Sequence, residues 1–197
     1  MIGATSLYLL ALINPISKVA VFLSLPPEAR HKYFRRMAAQ SSLIALGILL
    51  VAMIAGGFLL RSVFRVDLHS LRFAGGTVVF WFGLNALRRG VFFEMETPKN
   101  AEDFALVPLA CPMIAGPATI AASIALRAEH GLIIPMAALA IALGVNYAIM
   151  ICSEGIGRLL MHRNILGAII RITGLIVMTI GTQMIFDGVL GRIASGN

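Results

Sequence analysis

The sequence Asn-Pro-Ile-Ser-Lys at residues 14–18 interrupts an apolar stretch over residues 5–25. A second interruption, Cys-Pro-Met-Ile-Ala-Gly-Pro at residues 111–117, lies within an apolar stretch over residues 105–126, and Pro112 follows Pro15 by 97 residues. Proline lacks a backbone N–H and breaks the helical hydrogen-bond ladder. Lipid cannot satisfy the carbonyl groups that this frees, so such breaks survive at membrane depth only where they are buried in protein or line a cavity. Matched breaks in the two halves of a chain are the sequence pattern that best indicates a transporter binding site.

The composition is that of a membrane protein with several spans. Of 197 residues, 59% are hydrophobic and 13% are charged, and the mean hydropathy is +0.91. Soluble domains carry about 25% charged residues. The net charge of +7 therefore indicates basic loops beside a bilayer and not a nucleic-acid-binding surface. The two cysteines both fall in apolar segments, where they support neither a disulfide framework nor a zinc site.

Six apolar stretches are each close to the roughly 20 residues that a membrane-spanning helix needs. They cover residues 4–25, 38–60, 68–87, 105–126, 132–153 and 166–188. We predict an all-α, polytopic membrane protein with six transmembrane helices, forming a single membrane domain over residues 1–197. A charged linker loop at residues 91–104 divides it into repeat 1, residues 1–90, and repeat 2, residues 105–197.

The two halves share more than their proline breaks. Arg72 and Arg171 open the third and sixth predicted helices, 99 residues apart. Each of these helices also carries two glycines spaced by seven residues: Gly76 and Gly83 in one, Gly174 and Gly181 in the other. This spacing places each pair on one helix face and permits close helix packing. Three spans per repeat force the halves into opposite membrane orientations, so we predict an inverted repeat with broken helices 1 and 4.

Lysine and arginine are unevenly divided between the two sets of predicted loops. The loops after the first, third and fifth helices carry ten of them, and the opposite set carries five. Arg72 and Arg171 lie at helix starts, and leaving both out keeps the bias at nine against four. Cytoplasmic loops hold the excess of Lys and Arg. The bias therefore places both termini on the non-cytoplasmic side.

Three motifs resemble those of the MarC family of six-helix membrane proteins. They are Asn-Pro followed by Val-Phe-Leu-Ser-Leu within residues 14–25, Leu-Arg-Phe-Ala-Gly-Gly at residues 71–76, and Val-Pro-Leu-Ala-Cys-Pro-Met-Ile-Ala-Gly-Pro at residues 107–117. The resemblance spans essentially the whole chain. It implies a multi-pass protein of the bacterial inner membrane that transports or exports small neutral amino acids such as glycine and alanine, coupled to an ion such as H+ or Na+.

Two departures from the family pattern fall in the presumed site. Lys18 and Ala20 stand where the family has a small polar residue and a second proline. Ala118 and Thr119 follow the second break, where the family has Gly-Pro-Gly-Ala-Ile. These changes bear on the substrate more than on the fold.

The residues around the two breaks form the predicted substrate site. A helix N-terminus offers free N–H groups and positive partial charge to a carboxylate, and the end of the preceding half-helix offers carbonyl groups to an ammonium or a cation. Small residues at the second break favour a glycine- or alanine-sized ligand. The candidate substrate-binding residues are Asn14, Pro15, Ser17, Lys18, Ala115, Gly116, Pro117, Thr119 and Ile120.

Several of these residues have a structural alternative. Asn14 either caps the second half-helix or touches substrate. Ser17 and Thr119 either form local structural hydrogen bonds or contact the ligand. Lys18 either pairs with an anionic group or extends to the cytoplasmic interface, about two turns away.

Four further polar residues lie inside apolar runs near the end of the chain: Asn146, Thr173, Thr179 and Gln183. They either form interhelical hydrogen bonds or contribute ligands to substrate or ion.

No motif indicates an enzyme, a cofactor or a metal site, since the sequence has no nucleotide-binding loop, metal-ligand cluster or nucleophile paired with a base. Three interpretations follow: a transporter or exporter of small neutral amino acids, a transporter of another small solute with Lys18 indicating an anion, and a non-transporting membrane scaffold. The paired breaks disfavour the scaffold, which needs no half-helix ends at membrane depth. An oligomer is compatible with all three.

Overall fold

The computed structural model describes residues 1–24, 27–90, 114–162 and 165–195. In these ranges every regular element is a helix, so the all-α prediction is confirmed for them. The helices are α1 (Ile2–Ile13), α2 (Pro15–Ser24), α3 (Pro27–Phe58) with a π-helical extension (Leu59–Val63), α4 (Leu68–Arg89), α5 (Pro117–His130), α6 (Ile133–Ile151), α7 (Ser153–His162) and α8 (Leu166–Ser195). The predicted linker loop at residues 91–104 lies outside the described residues.

Within the described ranges, four stretches of helix are long and apolar enough to cross a bilayer: Ile2–Val19, Arg35–Val63, Ile133–Ile151 and Leu166–Ala194. Large apolar side chains are exposed along them, including Leu43, Val51, Ile133 and Ile193. Helices that are apolar on their outer as well as their inner faces belong in lipid. The described helices are therefore those of an all-α membrane protein.

The two other predicted spans coincide with α4 and α5. Helix α4 has 22 residues and covers the third predicted span. Helix α5 has only 14 residues and begins in the middle of the fourth predicted span, residues 105–126. Residues 105–113 of that span lie outside the described residues.

Two buried clusters form the core of the described part of the chain, and α5 contributes to both. The first cluster joins α1, α3 and α6 and includes Leu9, Leu49 and Leu139. The second joins α4 and α8 and includes Val79 and Val177. Helix α5 adds Ala122 to the first cluster and Ala118 and Ala121 to the second. This half-helix therefore lies between the two parts of the molecule.

Helices α4 and α8 share the most extensive contact among the described helices. An ideal Cβ on Gly76 would lie 2.8 Å from the carbonyl oxygen of Gly181, and one on Gly174 would lie 3.0 Å from that of Gly83. The two contacts run in opposite directions along the chain, so the helices are antiparallel. The close packing predicted from the glycine spacing is confirmed, because no side chain fits between the two backbones.

Helix α5 is held against the same pair of helices. An ideal Cβ on Gly75 of α4 would lie 2.6 Å from the Cβ of Ala121, so α5 also approaches α4 to within the space of a missing methyl group. On its other side, α5 packs against α3 and α6.

Candidate functional site

The first helix break falls at Asn14. Helix α1 ends at Ile13, Asn14 adopts the left-handed conformation (φ 52°, ψ 78°), and α2 begins at Pro15. Asparagine is one of the few residues other than glycine that visits this conformation routinely. Proline is favoured at the first position of a helix, where a backbone N–H would have no partner. The predicted break in helix 1 is confirmed.

The second predicted break, residues 111–117, is described from Ile114 onward. Ile114 and Ala115 form a turn. Gly116 is extended (φ −74°, ψ 168°) and precedes α5, which begins at Pro117. A helix therefore starts within the predicted break, whereas Cys111 to Met113 lie outside the described residues.

Both breaks contain a buried hydroxyl that bonds back across the junction. Ser17 Oγ donates to the carbonyl of Asn14 at 2.7 Å, and Thr119 Oγ1 donates to the carbonyl of Ile114 at 3.0 Å. The structural alternative predicted for these two residues is therefore present in the fold. A bonded hydroxyl oxygen can still accept a hydrogen bond from a ligand.

The two hydroxyls stand at similar places in their helices. Ser17 lies two residues after Pro15, which begins α2, and Thr119 lies two residues after Pro117, which begins α5. Pro112, which the sequence comparison paired with Pro15, lies outside the described residues.

Most of the predicted site residues lie in the interior. The exposed fraction is 5% or less for Asn14, Ser17, Lys18, Ala115 and Thr119. Pro15 and Gly116 are also buried, while Ile120 is half-buried and Pro117 is exposed. The last two are thus the members of the predicted set least suited to touch an enclosed ligand.

The structure brings residues from both breaks into the same core. Ile13 shares the first buried cluster with Ile114 and Ala115. Ile16, just after the first break, packs against the second cluster, which contains Ala118. The two junctions are therefore linked by packing on both of their sides.

The Asn14 side chain does not cap α2. Its Oδ1 and Nδ2 are both buried, and neither has a hydrogen-bond partner among the described residues. Buried amides are nearly always paired, and leaving one unpaired costs roughly 1–3 kcal/mol. Of the two alternatives for Asn14, capping is excluded, and the amide is available to a ligand with both donor and acceptor groups.

A second amide, that of Asn146, is also buried with incomplete hydrogen bonding. Asn146 is fully buried, its Oδ1 has no partner in the described part of the chain, and its Nδ2 donates only to the Sδ of Met150 at 3.4 Å. A thioether sulfur is a weak acceptor. The interhelical hydrogen bond that was one predicted alternative for Asn146 is therefore absent among the described residues.

Asn146 stands on the side of α6 that packs into the first buried cluster. Leu143 and Met150, three residues before and four residues after it, belong to that cluster and share its helix face. The cluster also contains Ile13, Ile114 and Ala115 from the two breaks. Asn146 therefore lies on the face of α6 that packs into the core shared by the two breaks.

Lys18 does not extend to the membrane interface. Its side chain is buried, with 1% of its surface exposed, and its Nζ donates to the backbone carbonyl of Ile13 and, at 3.3 Å, to that of Asn14. The ammonium thus bends back over the first break. The predicted alternative, in which Lys18 reaches the interface, is wrong.

The other polar residues of the last helix form bonds within that helix. The hydroxyls of Thr173 and Thr179 donate to carbonyls four residues earlier, and Gln183 Nε2 donates to Asp187 Oδ1 at 2.7 Å. These bonds differ from the interhelical bonds predicted for these residues. They leave α8 free to approach α4 through its glycines.

A cavity of about 530 Å³ lies between α1, α4, α5 and α8, and no described residue of the two breaks is among those that line it. Arg72 and Glu129 form an ion pair in its wall. The cavity is lined by Ala4, Thr5, Tyr8, Arg72, Ala122, Ala125, Leu126, Glu129, Thr179, Ile180, Gln183, Met184 and Asp187. Tyr8 precedes Asn14 by six residues, which is about 9 Å along a helix at roughly 1.5 Å per residue.

This cavity was not predicted from the sequence, where Arg72 was interpreted as a helix start and as a loop charge. The predicted topology nevertheless indicates that the charged residues of the cavity lie close together. It places the start of helix 3 and the ends of helices 4 and 6 at one membrane face, and these positions hold Arg72, Glu129 and Asp187. Among the described residues, no group of three or more His, Cys, Asp or Glu could hold a metal ion.

Comparison with known proteins agrees with this architecture. The family model described as "MarC family integral membrane protein" matches residues 1–193. The chain belongs to the MarC family. It is 35% identical over 190 residues to a UPF0056 membrane protein of Pyrococcus horikoshii, covering 96% of this chain and 94% of that protein.

Other MarC-family relatives match over similar lengths. The chain is 31% identical over 208 residues to the UPF0056 inner membrane protein MarC of Salmonella paratyphi A, covering 96% and 94% of the two proteins. It is 31% identical over 199 residues to the UPF0056 membrane protein YvbG of Bacillus subtilis, covering 93% and 91%. No solved structure matches the chain. These names describe membrane proteins and specify no substrate.

Proposed function

We propose that this MarC-family protein is a secondary transporter or exporter of small neutral amino acids of the glycine and alanine class, driven by an ion gradient. Its substrate site would lie between the two helix breaks. The observation that carries the proposal is the carboxamide of Asn14, which is buried at a break with no partner among the described residues for either polar atom. A polar ligand would relieve the cost of that unpaired amide.

The site offers partners for both charged ends of an amino acid. First-turn N–H groups have no partner within a helix, so those of Ile16, Ala118 and Thr119 can receive a carboxylate. The side-chain oxygens of Asn14 and Asn146 can accept from an ammonium. A zwitterion with no net charge uses both kinds of group.

The size of the site favours the smallest amino acids. Ala115 and Gly116 form the turn at the second break, and Ala118, Ala121 and Ala122 follow on the buried side of α5. The substrate would approach the breaks from the cavity that Tyr8 and Asp187 line.

We further propose that the fold consists of two inverted three-helix repeats. Adding 98 to Gly76 and Gly83 gives Gly174 and Gly181, so the contact of Gly76 with Gly181 maps onto the contact of Gly174 with Gly83. A two-fold axis in the membrane plane produces such reciprocal contacts. The proposed location is the bacterial inner membrane, with both termini non-cytoplasmic.

Transport assays test the function directly. Purified protein in proteoliposomes should take up or release radiolabelled glycine, and an imposed pH or sodium gradient should change the rate. Protein-free vesicles are the control. No glycine flux under any gradient, from folded protein inserted in both orientations, would remove the amino-acid proposal.

A second candidate, a transporter of another small and anionic solute, is favoured by the buried ammonium of Lys18 at the first break. Lys18→Met separates the two. A zwitterion held mainly by N–H and amide groups should lose little affinity, whereas an anion paired to the ammonium should lose about 2 kcal/mol or more. A protein that moves neither class of solute would fit the scaffold interpretation.

A further inference from the structure

The ammonium of Lys18 lies where a discontinuous membrane helix would bind a free cation. The last carbonyl groups of a helix have no partner within it and carry negative partial charge. Pro15 brings no N–H to the junction, and the carbonyls of Ile13 and Asn14 accept from Lys18 Nζ. In transporters with broken helices, such carbonyl ends coordinate the coupling cation.

Lys18 is well placed to occupy this position. It lies in the first turn of α2, four and five residues after the carbonyls that it bonds, and only 1% of its surface is exposed. The Ser17 hydroxyl donates to the Asn14 carbonyl of the same junction at 2.7 Å. A cation at the start of a helix is unfavourable, and the contacts of Lys18 with the preceding carbonyls offset this cost.

We propose that Lys18 is a tethered cation that fills the monovalent-cation position at the first helix break, so that this chain binds no Na+ there. The proposal refines the proposed function by assigning the carbonyl end of α1 to the protein's own ammonium. The substrate's ammonium then has to use other acceptors, and Asn14 Oδ1 and Asn146 Oδ1 are without partners in the described chain.

The experiment follows thermal unfolding of the purified full-length protein in detergent, in NaCl, KCl or choline chloride at equal ionic strength. Wild-type protein should unfold at the same temperature in all three salts. In choline chloride, the unfolding midpoint of Lys18→Ala should be at least about 4 °C below that of wild type. The midpoint of this variant should rise with NaCl concentration and then level off, as expected for Na+ binding to the folded state.

Propylammonium chloride is a second probe, because propylammonium replaces the atoms that Lys18→Ala removes. It should raise the midpoint of this variant and leave that of wild type unchanged. The matched control is Arg171→Ala, which removes an exposed cation from α8. This control should show the same small salt dependence as wild type.

Two results would overturn the proposal. One is a sodium-specific rise in wild type equal to that in Lys18→Ala, and the other is a variant that responds to Na+ and propylammonium no more than Arg171→Ala does. Lys18→Met replaces the side chain by an uncharged one of similar size. If Lys18→Ala fails to fold in all three salts while Lys18→Met folds well, the side chain stabilises the fold by filling space and the proposal fails. If neither variant folds, the wild-type titration decides alone: a sodium-specific rise refutes the proposal, and no rise supports it.

These measurements contain no substrate. A protein that does not move glycine could still show the cation behaviour of Lys18→Ala, and a glycine transporter could lack it. Failure of this inference and failure of the proposed function are therefore distinguishable.

Discussion

An ideal Cβ on Gly181 would lie 2.4 Å from the backbone nitrogen of Phe80, so α8 meets α4 backbone to backbone at this point. The obstructing atoms belong to the main chain and cannot move aside by changing a side-chain rotamer. We therefore expect Gly181→Ala to lower the free energy of unfolding by about 1–3 kcal/mol, the usual cost of overpacking. Reversible unfolding in mixed micelles would measure it.

Gly144→Ala is the matched control for that prediction, because a Cβ at Gly144 would meet nothing within 4 Å. Alanine is intrinsically better than glycine in a helix by roughly 0.5–1 kcal/mol, so this variant should be as stable as wild type or slightly more so. Equal stabilities for the two alanine variants would contradict the close approach of α4 and α8.

Gly116→Leu should abolish glycine transport while the protein stays folded. Gly116 is buried and has an extended backbone that leucine can adopt, so the effect would come from the volume added where the ligand is expected. Radiolabelled uptake gives the activity, and size-exclusion chromatography with thermal unfolding gives the folded state. Gly144→Leu is the control. Transport at the wild-type rate by Gly116→Leu would place the site elsewhere.

Asn146→Leu should stabilise the fold and weaken glycine binding. Removing a buried amide with an unpaired oxygen should raise the free energy of unfolding by about 1 kcal/mol, the lower end of the cost of such a group. Glycine affinity should fall about tenfold or more, since one charge-assisted hydrogen bond contributes about 1.5–3 kcal/mol. Isothermal titration and chemical unfolding would measure the two effects.

Ser41→Ala is the control for Asn146→Leu, since Ser41 is equally buried but its Oγ already donates to the Ala38 carbonyl at 3.2 Å. It should lose up to about 1 kcal/mol of stability and keep its glycine affinity. If Asn146→Leu is less stable than wild type, its amide is paired in the folded protein and the argument for its role fails.

The ion pair of Arg72 with Glu129 should affect transport more than stability. The side chain of Glu129 is 45% exposed, so the pair should contribute less than about 1 kcal/mol to folding in a double-mutant cycle. Because both residues line the cavity, Arg72→Glu and Glu129→Arg should each raise KM, and the double variant should recover in part. The exposed pair of Arg192 with Asp67 lies outside the cavity lining, and swapping its charges should leave KM unchanged.

The predicted topology can be tested by labelling. In a background of Cys111→Ala and Cys152→Ala, a membrane-impermeant maleimide added to intact cells should react at Ser195→Cys and not at Lys32→Cys. The reason is the excess of Lys and Arg in the loops after the odd-numbered helices. Disrupted cells should label both positions and serve as the control. The reverse pattern would refute the orientation.

The sequence predicted the features that depend on local backbone chemistry. Pro15 removes a hydrogen bond wherever it stands, so the break at Asn14 followed from residue type alone. The glycine spacing predicted the contact of α4 with α8, because it depends only on helix periodicity. A helix start within the second break, residues 111–117, followed in the same way, because proline is favoured at the first position of a helix and α5 begins at Pro117.

The direction of buried side chains was beyond the reach of sequence. Lys18 has two routes of similar length, one to the interface and one back to the carbonyls of α1, and only the packing around it selects the second. The cavity was missed for a related reason. Its charged residues are far apart along the chain and meet only when α4, α5 and α8 assemble.

Backbone contact between α4 and α8 has a consequence for how the site would open. Where two backbones are in direct contact, no side chain can change its rotamer to let one helix shift along the other. We therefore expect α4 and α8 to move as one rigid body. The contact of Ala121 with Gly75 adds α5 to that body. Opening the site alternately to the two membrane faces would then fall to α1 and α2, which carry the first break. The two halves would then share a fold but differ in motion. The second break, at the start of α5, would stay fixed, and the first break, between α1 and α2, would move.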